Sequence, residues 1–358
     1  MAETNAPGLN VNVKRVFRYA FIACVYVIGV FWSVVWICSN FLTILRNPTG
    51  FFTVKKRAKP PAVLQDPALG EHGYLHLKNG IRIHYVASGP PDAPLMLFLH
   101  GFPEFFYTWR HQIRYFKNSY RVVAVDLRGY GDSSKPSNYA EYEIRKLCED
   151  VRLIIQSLQR ASCILVGHDW GGMIAWNFGS LYPEMVSSMV VINAPHPAVF
   201  WKFAMKNPKQ LLMSWYIFMF QLPFLPEFFL SSSDLKFLEE IFTVAPMGAK
   251  PGTYQEEDIE AFKYTFSSAK AFTAPINYYR NLFRFNPPKP IKFQPLPFPI
   301  LVIFGTGDRA ISPETALLSG QFAGGIFELK YVEGASHWVN EEEPEVVNNT
   351  IAKFLSDH

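Results

Sequence analysis

Cys163-Ile164-Leu165-Val166-Gly167-His168-Asp169-Trp170-Gly171-Gly172-Met173 is the stretch that decides the fold. An apolar run suited to a buried strand meets Gly-His-Asp-Trp-Gly, and a helical pattern starts from Met173. This is the frame of a nucleophile elbow, G-x-S-x-G, in which a tight turn between strand and helix lifts the central side chain clear of a sheet. Gly167 and Gly171 permit such a turn. At its centre stands Asp169 rather than serine. A carboxylate attacking a carbonyl would give a reactive anhydride. Attack on a saturated, electrophilic carbon leaves an alkyl ester that water can hydrolyse at the Asp carbonyl. The helix's positive end keeps Asp169 ionised. The plainer alternative is that Asp169 only caps the helix.

Outward from the elbow, buried-strand runs are expected at Leu95–Leu99, Val122–Val125, Cys163–Val166, Met189–Ile192, Ile300–Phe304 and Phe327–Val332, with helical patterns such as Tyr142–Leu158 and Met173–Leu181 between them. Strands alternating with helices predict an α/β fold, a mostly parallel sheet flanked by helices. A hairpin around Asn79-Gly80 precedes them, since residues 74–85 alternate about that dipeptide. Roughly a hundred residues, 198–298, separate two strand runs, too many for a plain connection. They are expected to form a helical lid rich in Phe, Trp and Tyr. Most of these rings would pack the lid onto the core, and a few would line an apolar pocket.

The ester intermediate calls for backbone donors near Asp169, because water attacking it creates an oxyanion. His100-Gly101-Phe102-Pro103, closing the run 95–99, supplies the loop. The amides of Phe102 and Trp170 are the expected donors, and the His100 side chain is expected to hold the loop in place. An acid and then a histidine should follow the nucleophile along the chain. Asp308, in Phe304-Gly305-Thr306-Gly307-Asp308, and His337, in Gly334-Ala335-Ser336-His337, both follow strands and fit those roles.

The N-terminal region has a different composition. Of 34 basic residues, eight lie in residues 1–59 against Glu3 alone, so the remainder of the chain is mildly acidic. The basic residues bracket Tyr19–Leu45, 27 positions without a charge. This reads as membrane flanks rather than a nucleic-acid footprint. About 20 apolar residues span a bilayer. A cleaved signal peptide would have a shorter apolar stretch and a small-residue cleavage site, which bulky Trp36, Phe41 and Leu42 fit poorly. Residues 1–18 read as a tail, 19–45 as an uncleaved anchor, 46–72 as a linker, and 73–197 with 299–358 as the core. Five basic residues close behind the span against three before it favour a cytosolic catalytic domain. The sequon Asn348-Asn349-Thr350 would matter only in a lumenal domain. Free structural thiols are expected at Cys24, Cys38, Cys148 and Cys163.

With these motifs in place, the chain from about Gly73 onward resembles α/β-hydrolases of the epoxide hydrolase group. The likeness rests on residues 100–103, on Asp126-Leu127-Arg128-Gly129-Tyr130-Gly131-Asp132-Ser133-Ser134, on residues 167–172, and on two lid segments. The apolar span resembles that of membrane-anchored members, which commonly sit in the endoplasmic reticulum. The resemblance implies two lid tyrosines that hydrogen-bond the epoxide oxygen. It places them at Tyr216, in Trp215-Tyr216-Ile217-Phe218, and Tyr279, in Asn277-Tyr278-Tyr279-Arg280, with the register around Tyr216 and the choice over Tyr278 left open. It implies conversion of an epoxide to a vicinal diol with no metal or organic cofactor, and the aromatic lid and membrane tether point to an apolar epoxide, including one derived from a fatty acid. The alternatives are a haloalkane-type dehalogenase using the same Asp, Asp and His, and a catalytically silent, membrane-tethered binding module.

Overall fold

The computed structural model describes residues 11–268, 271–283 and 289–358, so most of the expected N-terminal tail lies outside the described residues. The chain opens with a long helix, α1 (Val11–Arg46), and a short one, α2 (Pro48–Phe52). Next come β1 (Glu71–His76), β2 (Arg82–Ser88), β3 (Leu95–Leu99), α3 (Arg110–Phe116), β4 (Arg121–Val125), α4 (Ile144–Ser157), β5 (Cys163–His168), α5 (Trp170–Leu181) and β6 (Val186–Ile192). Six helices follow: α6 (Pro197–Ala204), α7 (Pro208–Met213), α8 (Trp215–Met219), α9 (Leu225–Thr243), α10 (Glu256–Phe266) and α11 (Thr273–Arg280). The chain then re-enters the sheet with β7 (Ile300–Gly305) and finishes with α12 (Glu314–Ser319), β8 (Phe327–Val332), α13 (Val339–Glu342) and α14 (Pro344–Asp357).

The eight strands form one sheet in the order β1-β2-β4-β3-β5-β6-β7-β8, parallel from β4 to β8 and antiparallel at the β1-β2-β4 edge. Burial explains the sequence texture. β3, β5 and β7 are buried at every residue and read as unbroken apolar runs, as strands covered on both faces must. β8 is an edge strand and alternates, Phe-Glu-Leu-Lys-Tyr-Val. β5 lies at the centre of the sheet, so the residue after it emerges between the carboxyl ends of β3 and β6. That is where ligands bind in open α/β sheets.

Two features sharpen the expectations from sequence. The segment following α1 is folded onto the molecule, because α2 packs on α9 and Arg57 pairs with Asp234 at 2.9 Å and with Glu260 at 3.0 Å. α9 is broken at Ser232–Leu235, where the backbone leaves the helical region, and Asp234 in that break receives Arg57 and the Lys55 amide. The sequon asparagine, Asn348, lies inside α14 and is buried, its side-chain oxygen accepting from Gln112 at 3.0 Å. Such a position leaves no room for a glycan. Cys148 and Cys163 are buried free thiols in α4 and β5, and Cys24 and Cys38 are exposed free thiols on α1.

Candidate active site

Asp169 sits between β5 and α5 with φ +48° and ψ −116°, a conformation costly for a residue with a side chain. Its surroundings hold it there. A Cβ on Gly171 would lie 1.9 Å from the Leu99 carbonyl oxygen, and one on Gly101 would lie 2.4 Å from the Asp169 Cβ. Both glycines are therefore demanded by the closeness of the elbow to the loop after β3. The Phe102 amide donates to Asp169 Oδ1 at 2.9 Å. Among the described hydrogen bonds this is the one expected amide that reaches the carboxylate. The Trp170 amide begins α5 beside it. Burial acts to raise the Asp169 pKa, but His337 and the Phe102 amide outweigh it and hold the group below its ordinary value.

His337, in the loop between β8 and α13, faces that carboxylate with Nε2 3.7 Å from Asp169 Oδ2. Its Nδ1–H donates to Asp308 Oδ2 at 2.7 Å. Asp308, in the turn after β7, is fully engaged: Oδ1 accepts the amides of Ala310 and Ile311 at 2.7 and 2.9 Å, and Oδ2 also accepts the Asn193 amide group at 2.8 Å. Burial would depress the His337 pKa, yet Asp308 and Asp169 together lift it well above the usual histidine range. His337 thus stands between the carboxylates of Asp308 and Asp169.

Three residues missed in the sequence complete the frame. Asn193, directly after β6, ties Asp308 to the sheet, its own oxygen accepting the Gly305 amide at 3.1 Å. Glu104, fully buried, accepts the Gly101 amide at 2.6 Å and pairs with His168 Nδ1 at 2.8 Å. His168 Nε2 in turn donates to the His337 carbonyl at 2.9 Å. The Glu104–His168 pair therefore joins the loop after β3, the elbow and the His337 loop. A charged residue in the apolar run after Phe102-Pro103, and a polar one ending an apolar strand, are the signals that could have revealed them. His100 keeps its expected place: its Nδ1–H donates to the Gly101 carbonyl at 2.8 Å and Nε2 accepts the Leu127 amide at 3.0 Å.

Asp169 lines a cavity of about 50 Å³, together with Trp170, Met173, Phe200, Trp201, Tyr216, Ile217, Tyr279 and Leu282 among others. Tyr216 and Tyr279 both line it, their rings 5.8 Å apart and nearly perpendicular. Tyr278 points elsewhere and donates to the Arg128 carbonyl at 2.6 Å. Gln221 ties the two tyrosine-bearing helices, donating to the carbonyls of Ile217 at 2.9 Å and Tyr279 at 3.0 Å. Burial, reinforced by the Asp169 charge, raises the pKa of both hydroxyls, so at neutral pH they are intact proton donors. A space this size holds a few water molecules. The aromatic walls must part to admit a larger ligand. Among the described residues no cluster of three or more His, Cys, Asp or Glu is arranged to hold a metal ion.

The alpha/beta hydrolase fold family matches residues 94–344. The chain is 42% identical to "Epoxide hydrolase 4" of Mus musculus over 94% of this chain and 90% of that protein. It is 40% identical to "Epoxide hydrolase 3" of Xenopus tropicalis over 96% of this chain and 94% of that protein. Among solved structures, a mutant of an epoxide hydrolase from Bacillus megaterium, complexed with its product (R)-3-[1]naphthyloxy-propane-1,2-diol, superposes with a TM-score of 0.72 at 33% identity, covering 79% of this chain and 100% of that one.

Proposed function

This chain belongs to the α/β-hydrolase fold family and to its epoxide hydrolases, and from that premise we propose that it opens an apolar epoxide through a covalent ester on Asp169 and releases a vicinal diol. The observation that supports the mechanism is a cavity lined together by Asp169, Tyr216 and Tyr279. In this reading Tyr216 and Tyr279 hydrogen-bond the epoxide oxygen while Asp169 attacks a ring carbon. The C–O bond breaks, the ester forms, and the alkoxide takes a tyrosine proton. Esterification removes the Asp169 charge from beside His337, so the imidazolium loses part of what raised its pKa and gives up its proton, which restores the tyrosine. Neutral His337, oriented by Asp308, then takes a proton from water as the oxygen attacks the Asp169 carbonyl. The amides of Phe102 and Trp170 receive the oxyanion. Collapse expels the diol oxygen, which takes the second water proton, and Asp169 and the imidazolium are regenerated.

A single turnover in heavy-oxygen water tests the ester. Attack at the Asp169 carbonyl puts the label into that carboxylate and leaves the first equivalent of diol unlabelled. Label in that diol with none in Asp169 would mean direct attack of water on the epoxide, and the proposal would fall.

The rest of the proposal concerns substrate and placement. The aromatic walls, and the aryl diol bound by the bacterial relative, support an apolar epoxide, including one derived from an acyl chain. Residues 73–197 and 299–358 serve as the catalytic core and 198–298 as its lid. α1 is long and apolar enough to cross a membrane. Its ring contacts with the lid, such as Trp32 with Trp215 at 5.3 Å, support a retained anchor, since cleavage would strip that surface. We place the protein in the endoplasmic reticulum membrane with its catalytic domain in the cytosol. Mass analysis of the mature protein checks the anchor, for a signal peptide would be missing.

A further inference from the structure

α1 does more than trail from the domain. Phe21, Val25, Gly29, Trp32, Ser33 and Trp36 recur at helical spacing and form one stripe. Along it Phe21 meets Phe283 at 5.8 Å, Trp32 meets Trp215 at 5.3 Å and Trp36 meets Phe229 at 5.1 Å. Val25 and Ser33 are buried, and a Cβ on Gly29 would lie 2.6 Å from the Phe218 carbonyl oxygen. From Phe21 to Trp36 is about 22 Å of helix, most of the ~30 Å hydrocarbon thickness of a bilayer. Along that depth the lid occupies one face of α1 and leaves the opposite face for lipid, so the lid stands beside the helix at the membrane.

The lid surface next to α1 is built for such a position. Leu212 precedes Trp215 by less than one turn. Phe224 and Phe228 fall between Leu222, which approaches Gly29, and Phe229, which packs on Trp36. Phe224, Leu212 and Phe228 are 74%, 63% and 56% exposed, an unusual display for large apolar groups clustered on a few short segments. Exposed Lys202 on α6, Lys206 in the connection after it and Lys209 on α7 accompany them, the mixture of apolar and basic side chains that suits anionic headgroups. One wall of the cavity adjoins this face. Phe283, which touches Phe21 of α1, also packs against Trp201 of the cavity wall at 5.6 Å.

We propose that the lid is a second membrane contact, seated on an anionic lipid surface beside α1, and that the cavity takes its epoxide laterally from the bilayer rather than from bulk water. The choice of an epoxide as the cargo rests on the hydrolase reading above. The contact with lipid does not.

Full-length protein in phosphatidylcholine–phosphatidylserine vesicles separates the two. In a Cys24→Ser, Cys38→Ser background, a nitroxide at Phe224→Cys should collide with oxygen in preference to a water-soluble nickel chelate, as a nitroxide at Phe31→Cys on α1 does. Readings like those at Tyr115→Cys, an exposed residue of α3, would overturn the proposal, and so would shielding from both reagents, which would mean a protein covers the patch. In the activity arm, Leu212→Glu with Phe224→Glu and Phe228→Glu should lower kcat/KM for a long-chain epoxide supplied in vesicles at least tenfold. Hydrolysis of a small water-soluble epoxide should stay within twofold. Equal effects on both substrates would overturn lateral uptake. Wild type inactive on both would sink the hydrolase reading, while the nitroxide would still decide the membrane contact.

Discussion

The carboxyl ends of the central strands and the helices of residues 198–298 hold their proposed reacting groups by different means. Around Asp308 and Asp169 the holding is by directional hydrogen bonds: four reach the Asp308 carboxylate, and the Phe102 amide fixes one oxygen of Asp169. Around Tyr216 and Tyr279 it is by rings. Tyr279 meets Phe102, Trp170, Phe220 and Tyr216 at centroid distances from 5.0 to 5.8 Å. Hydrogen bonds specify position and angle, whereas ring packing tolerates sliding. Under the proposed mechanism, the contrast has the core fix the chemistry and the lid set the accepted shape.

That contrast can be broken by experiment. Asp169→Asn should cost at least ~10³-fold in diol formation while the protein stays folded, since a nucleophile has no substitute. Retained turnover would place the chemistry elsewhere. Tyr216→Phe and Tyr279→Phe should each slow ester formation by about 10²-fold, the usual scale of a positioned proton donor. Stopped-flow measurement of the first turnover reads this directly, and an effect confined to ester hydrolysis would contradict the lid's assigned part.

Asn193→Ala tests the hydrogen-bonded side. Its link to Asp308 is a bond to a charged group, worth roughly 1.5–3 kcal/mol, so ester hydrolysis should slow about tenfold or more and the acylated protein should accumulate in mass spectra. The His337 pKa supplies a sign. Because Asp308 and Asp169 raise it, their attraction stabilises the fold at low pH and is lost as pH rises through the raised value. Asp169→Asn removes one of those carboxylates, so NMR titration should find His337 ionising at lower pH in the variant. No downward movement would mean that Asp169 does not feel that charge. The smallest effect belongs to Tyr278→Phe, which loses one hydrogen bond to the Arg128 carbonyl: about 1 kcal/mol of stability, with turnover within twofold.

Much of this was legible beforehand because it was local. The strand runs were visible since parallel strands buried on both faces must be apolar throughout. The elbow was visible since its turn needs glycines at set positions, and the observed α5 begins at Trp170, three residues before the helical pattern of the sequence shows itself. Glu104, His168 and Asn193 were not singled out. Each works through a partner far away in the chain, as His168 does through the His337 carbonyl, and no spacing rule records such a pairing.

The sequence by itself determined the alternation of strands and helices, the carboxylate at the elbow, the order of acid and histidine after it, and an apolar N-terminal stretch long enough to span a bilayer. Each follows from short-range rules of backbone geometry and side-chain periodicity. Only the tertiary structure decided that Tyr279 rather than Tyr278 faces the cavity, and that the apolar N-terminal helix leans on the lid along one stripe. Adjacent residues on a helix point about 100° apart, so which of two tyrosines turns inward depends on what packs around them, and that is settled only when distant segments meet.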